Sequence, residues 1–197
     1  MVASASRPRL PAQERRQAVL DTACRIFSQS SYRGATTAEI AREAGITEPI
    51  LYRHFGSKRD LYLACLEEAW RSFREAAEQS VAENPGGCFG AISDAYTAKR
   101  AKLRLTDLWI QALVEASDDP VIAKALRRQM REVHAFFVEL MEHAQAQGVV
   151  NADRDPVAEA WVFMAGGLLA TLDHRLGGVV GADLERVRAA RRQWMLA

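Results

Sequence analysis

Apolar residues recur at three- and four-residue steps through most of this chain, and no stretch alternates with period two over more than a few residues, so the pattern predicts an all-α protein. Val19, Ala23, Ile26 and Phe27 form the inner stripe of a first helix over 12–30, with Glu14, Arg15, Arg16, Asp21 and Arg25 outside. Two short helices follow. Thr36 and Glu39 have capping-box spacing, Ile40, Ala41 and Ala44 are the buried side, and Gly45 supplies the left-handed residue that ends the first of them. Thr47 is expected to cap the second, and Pro49 falls in its first turn, where a missing N–H is harmless. Leu51 and Phe55, four apart, face inward.

The rest reads as a helical body. Ser57 and Asp60 repeat the capping spacing and open a long helix through Leu61, Cys65, Leu66, Ala69, Trp70 and Phe73 to about Glu83. Asn84-Pro85-Gly86-Gly87 breaks the chain, and helices are expected over 89–102 and 105–116. Asp119-Pro120 starts a helix with Ile122, Leu126, Met130, Val133, Phe137, Leu140 and Ala144 on one stripe, stopped by Gly148. Asp155-Pro156 starts another, ending at Gly177-Gly178, and a last one runs over about 182–195 with Leu184, Val187 and Trp194 for burial. About nine helices result. The division expected is a small head over 1–60, its first eleven residues a flexible arm, and a body over 61–197.

The segment Ala160 to Leu172 is apolar on every side and must be covered on two faces. Small residues at Ala165, Gly166, Gly167 and Ala170 would let a second helix approach closely. A partner subunit is the natural cover, joined by Leu184, Val187 and Trp194 of the last helix.

Composition changes this picture little. Apolar residues make up 49% of the chain, enough for a packed core, and no run reaches the roughly 18 residues of a membrane span. The start has no apolar stretch before Arg7 and Arg9, which reads as a cytoplasmic protein without a secretory signal. Cys24, Cys65 and Cys88 are isolated, so neither a disulfide framework nor a zinc site is expected. Charge is more informative. Residues 1–60 hold ten Lys/Arg against six Asp/Glu, and the remainder sixteen against nineteen, an asymmetry suited to a nucleic-acid-binding head.

Two short helices joined by a tight turn form a helix-turn-helix, whose second helix fits a DNA major groove. Phe27, Thr36, Thr37, Ile40-Ala41, Ala44-Gly45, Leu51-Tyr52-x-His54-Phe55, Lys58 and Leu61 resemble the N-terminal pattern of the TetR-type bacterial transcription regulators. The likeness covers roughly the first third of the chain. Ser31 departs from it, standing where the family usually has glycine, with Gly34 three residues on. The resemblance implies a homodimeric regulator, a repressor by family habit, that binds a near-palindromic operator and is released by a small ligand. It implies phosphate contacts from Thr37, Tyr52, His54 and Lys58, beside Thr36, and base-reading positions at Thr47, Glu48 and Ile50. Glu48 is repelled by phosphates, and either discriminates between bases or turns aside to pair with Arg42 or Arg53. The last two helices resemble the pair that dimerises the family.

For the ligand, Tyr96, Trp109, Leu113, Phe136, Phe137, Met141, Trp161, Phe163 and Met164 could line an apolar cavity, with His134 or Arg104 as polar anchor, suiting a hydrophobic or aromatic effector. Core packing explains the same residues. No cofactor or metal is expected. An enzyme would have to use His134, His143, Asp173 and His174, but His134 and His143 lie half a turn off one face and no phosphate loop or nucleophile motif is present. A protein–protein module with an idle head is the other alternative, opposed by the intact Tyr52-x-His54-Phe55 and Lys58.

Overall fold

The computed structural model describes residues 11–83 and 105–196, so the arm, the helix expected over 89–102 and the candidates Tyr96 and Arg104 lie outside the described residues. Eight helices follow in order: α1 Ala12–Gln29, α2 Thr37–Glu43, α3 Glu48–His54, α4 Lys58–Glu83, α5 Leu105–Glu115, α6 Pro120–Ala146, α7 Pro156–Arg175 and α8 Asp183–Leu196. No strand occurs among the described residues.

Local chemistry sets the boundaries. Thr36 Oγ1 accepts from the Glu39 N–H at 3.1 Å, closing the free end of α2. At its other end Gly45 has φ +69°, and the Ile46 N–H reaches the Ala41 carbonyl at 2.9 Å while the Gly45 N–H reaches Arg42 at 3.1 Å. These two bonds reverse the chain within three residues. Ser57 Oγ accepts from the Asp60 N–H at 3.0 Å and donates to Oδ2 of Asp60 at 2.8 Å, starting α4. Asp119 caps α6 through the N–H groups of Val121 and Ile122, and Asp155 caps α7 through that of Val157. Thr47 differs from expectation: it holds the N-cap position of α3, but its side chain makes no capping bond.

Ser31 also has a physical explanation. Helix α1 stops at Gln29, Ser30 is extended, and the Ser31 hydroxyl accepts from the Gly34 N–H at 2.9 Å. A Cβ at Gly34 would lie 2.9 Å from that hydroxyl oxygen, so Gly34 is what lets the serine close the turn.

One apolar cluster runs from Val19 to Met164 through head and body. In the head, Phe27, Ile40, Leu51 and Leu61 are fully buried, and Phe27 meets Tyr62 edge-on at 5.0 Å. Helix α4 packs on α1, α5 and α6. It is the shared beam. Helices α6 and α7 pack along each other. Helix α8 is attached chiefly at its C-terminal end: Met195 is its buried residue, the Asn151 N–H donates to the Met195 carbonyl at 3.0 Å, and Arg191 pairs with Glu159. Leu184, Val187 and Trp194, expected to be buried, are half-exposed or exposed, because this helix reaches the main body through Met195 instead.

Candidate nucleic-acid interface and body cavity

Helix α3 is held on α2 by Leu51 and leaves its first turn and outer side uncovered. Thr37 is buried beneath it and is the hub of a small polar network. Its hydroxyl donates to Glu48 Oε1 at 2.5 Å. That hydroxyl has one proton, so Tyr52, 3.1 Å away, is the donor to Thr37 Oγ1. The expectation that a deflected Glu48 would pair with Arg42 or Arg53 is therefore corrected: it pairs with Thr37, which sits directly under the first turn of α3. A carboxylate there also complements the positive end of the helix dipole.

Around this hub, Tyr52 and Arg53 are exposed, His54 and Ile50 half-buried, and Thr36 and Thr47 exposed. Lys58 is half-buried with Nζ 4.7 Å from the centre of the Tyr32 ring, and burial pulls its ammonium below the ordinary value of 10.5. Tyr32 in turn touches Tyr62 at 4.9 Å, whose hydroxyl donates to the Leu108 carbonyl in α5 at 2.8 Å. Burial pushes the Tyr62 hydroxyl well up, keeping it a neutral donor. Two ion pairs add to this seam between head and body: Arg33 reaches Glu115 at 3.1 Å and also Asp118, and Arg59 reaches Asp119 at 3.2 Å.

The body contains a cavity of about 410 Å³ whose walls come from α4 to α8. Trp109, Phe137, Phe163 and Met164 of the expected ligand residues line it, joined by Phe73. The other expected residues among the described ones are elsewhere. His134 and Trp161 stack on each other at 4.2 Å outside the cavity, and the His134 ring nitrogen Nε2 lies 2.9 Å from the Val157 carbonyl. Leu113 is exposed, and Met141 is fully buried in a separate small cluster with Ala144, Val150 and Met195. Each was placed by its apolar or polar type alone, while the turn of its helix sends it to another face.

Of the residues expected at a subunit contact, Gly166, Gly167, Ala170, Leu184 and Val187 line the cavity within the single chain. Ala165 and Trp194 remain outside, the Trp194 indole donating to Glu159 at 3.3 Å with Arg154 stacked over its ring. Sequence reasoning missed Arg188, Arg191 and Arg192, which also line the cavity. Their spacing to Leu184 and Met195 is the signal: all five share one stripe of α8. Of the residues an enzyme would need, Asp173 accepts from the Val180 N–H at 2.7 Å and from that of Gly181 at 3.2 Å. Among the described residues no group of His, Cys, Asp and Glu could hold a metal ion, and no helix is long and apolar enough to cross a membrane.

Fold and site together define a helix-turn-helix protein with a helical body. Residues 19–65 match the model of bacterial regulatory proteins of the tetR family. The chain is 48% identical over 59 residues, 30% of its length and 27% of that protein's, to the HTH-type transcriptional activator FasR of Mycolicibacterium smegmatis. Over 183 residues it is 25% identical to the HTH-type transcriptional regulator AcrR of Shigella flexneri, covering 89% of this chain and 84% of that one. A solved TetR-family regulator from Rhodococcus shares the fold with a TM-score of 0.79 at 18% identity, over 94% of this chain and all of that one. Residues 19–65 thus carry the helix-turn-helix domain of tetR-family regulators, and the chain as a whole has the fold of a solved TetR-family regulator.

Proposed function

We propose that the protein works in the cytoplasm as a homodimeric repressor that binds a near-palindromic operator and leaves it when a small, mostly apolar ligand enters the body. Residues 1–60 are the DNA-binding head and 61–197 the sensing and dimerising body. The observation that carries this reading is the connection of the cavity to the head through α5: Trp109 is a cavity wall, and Glu115 at the far end of the same helix grips Arg33. A ligand that alters the α5 wall then acts on the head, provided it binds one head arrangement better than the other.

In the complex, Tyr52, His54 and Lys58, with Thr36, meet phosphates and fix the register, while Thr47 and Ile50 face base edges. Thr37 and Glu48 hold the first turn of α3 in place between them. Dimerisation uses the outer side of α7 and α8, where Trp161, Leu172 and Trp194 are exposed. A two-fold dimer sets two copies of α3 about one DNA turn apart.

Selection of bound DNA from a random pool tests this directly. Enrichment of a palindromic site is the expected result, and no enrichment would remove the DNA-binding dimer. An activator is the second reading, favoured by the 48% identity of one segment to FasR, an HTH-type transcriptional activator. A promoter reporter separates the two by the sign of the response when the gene is deleted.

A further inference from the structure

Three arginines occupy the cavity side of α8, at positions 188, 191 and 192, where an ordinary amphipathic helix facing an apolar space would carry leucines. The opposite walls are apolar, built from Phe73, Trp109 and Phe137. Two of the guanidiniums are already neutralised: Arg188 pairs with Glu185 of its own helix, and Arg191 with the buried Glu159 of α7. Arg192 has no ionic partner among the described residues, so the α8 side of the cavity keeps an unspent positive charge with planar N–H donors.

From this we infer that the effector is an amphipathic anion, with an aliphatic or aromatic body among Phe73, Trp109 and Phe137 and a carboxylate or phosphate against Arg192, supported by Arg188. The inference rests on the proposed sensing role of the cavity and names the chemical class it takes. A cavity of about 410 Å³ is within the range of small-ligand sites, and the apolar walls supply affinity while the guanidinium fork supplies orientation. Arg192 is solvent-exposed at the edge of the cavity, so an uncharged ligand of the same shape would leave it to water and gain nothing from it, and a cation would be repelled.

Titration calorimetry of the full chain with decanoate, decanol and decyltrimethylammonium separates the possibilities, because the three share one chain and differ in head charge. Decanoate is expected to bind roughly ten-fold or more tightly than decanol, and the cation not measurably. In Arg192→Glu the decanoate affinity should fall to that of decanol, and Arg192→Lys, which keeps the charge and loses the fork, should fall in between. Decyl phosphate in place of decanoate then distinguishes a phosphate from a carboxylate head. Equal binding of decanol and decanoate would overturn the anionic end and leave an apolar sensor standing. Failure of all the probes to bind would overturn the sensing cavity itself.

Discussion

The indole N–H of Trp109 donates to Oε1 of Gln129 at 2.6 Å, and Nε2 of the same Gln129 donates to the Leu66 carbonyl at 2.7 Å. A cavity wall in α5, the middle of α6 and the backbone of α4 are thereby joined by two buried hydrogen bonds. Gln129→Leu keeps the volume but strands the indole N–H, and Trp109→Phe strands the amide oxygen. Each is expected to cost about 1–3 kcal/mol in urea unfolding, and the double variant less than the sum. Full additivity would mean that the two side chains do not act as a unit.

The Thr37 hub gives a second expectation. Because Glu48 is tied to Thr37, Glu48→Ala and Thr37→Val should both weaken operator binding by similar factors across all single-base operator variants, through loss of α3 positioning. Measuring affinities over a set of such variants decides the matter, since relaxation at one symmetric base pair in Glu48→Ala alone would make this carboxylate a base reader.

Contacts to phosphate leave a different trace. Lys58→Ala should reduce the slope of log affinity against log salt by about one per head and weaken all sequences alike. Tyr52→Phe removes a neutral donor and should weaken binding with the slope unchanged. A Lys58→Ala slope equal to that of the wild type would confine this lysine to its packing on Tyr32.

Glu43 predicts an acid-sensitive joint between α1 and α2. The Arg25 guanidinium beside it holds its carboxyl below the ordinary 4.5. Near that value the unfolded chain takes up the proton more readily than the folded one, so the stabilisation is complete above 4.5 and is lost as pH falls through the depressed value. Comparing urea midpoints of wild type and Glu43→Gln at neutral pH and at the acid end should show a gap that narrows in acid. A gap independent of pH would argue that the pair contributes nothing through its charge.

The seam between head and body should matter for response more than for affinity. Glu115→Ala leaves the α3 surface intact but frees Arg33, so operator binding without effector should be nearly preserved and the effector-induced release diminished. Loss of binding outright would show instead that Glu115 supports the head's fold.

How legible all this was in the sequence depended on the range of the interaction. The helix-turn-helix could be read because its signals are local: Thr36 caps three residues on, Gly45 turns left-handed where it stands, and Leu51 and Phe55 share a face by spacing alone. Periodicity likewise located the helices of the body. It could not say which faces meet. His134 and Trp161 stack with each other because α6 and α7 cross there, a fact absent from either helix's pattern. Arg188, Arg191 and Arg192 were sorted to the outside since charge usually means solvent, although they alternate with Leu184 and Met195 on one stripe. The Thr37–Glu48 bond, eleven residues apart, needed the geometry of the turn between them.

The three arginines that line the cavity among the described residues come from one fourteen-residue helix, anchored through Met195 and Glu159 and remote in sequence from the head. Such an arrangement makes the chain evolvable in parts. Reassorting a single C-terminal cassette would change what the protein detects while its operator stays the same, which also marks α8 as the segment to randomise when building transcriptional biosensors on this scaffold.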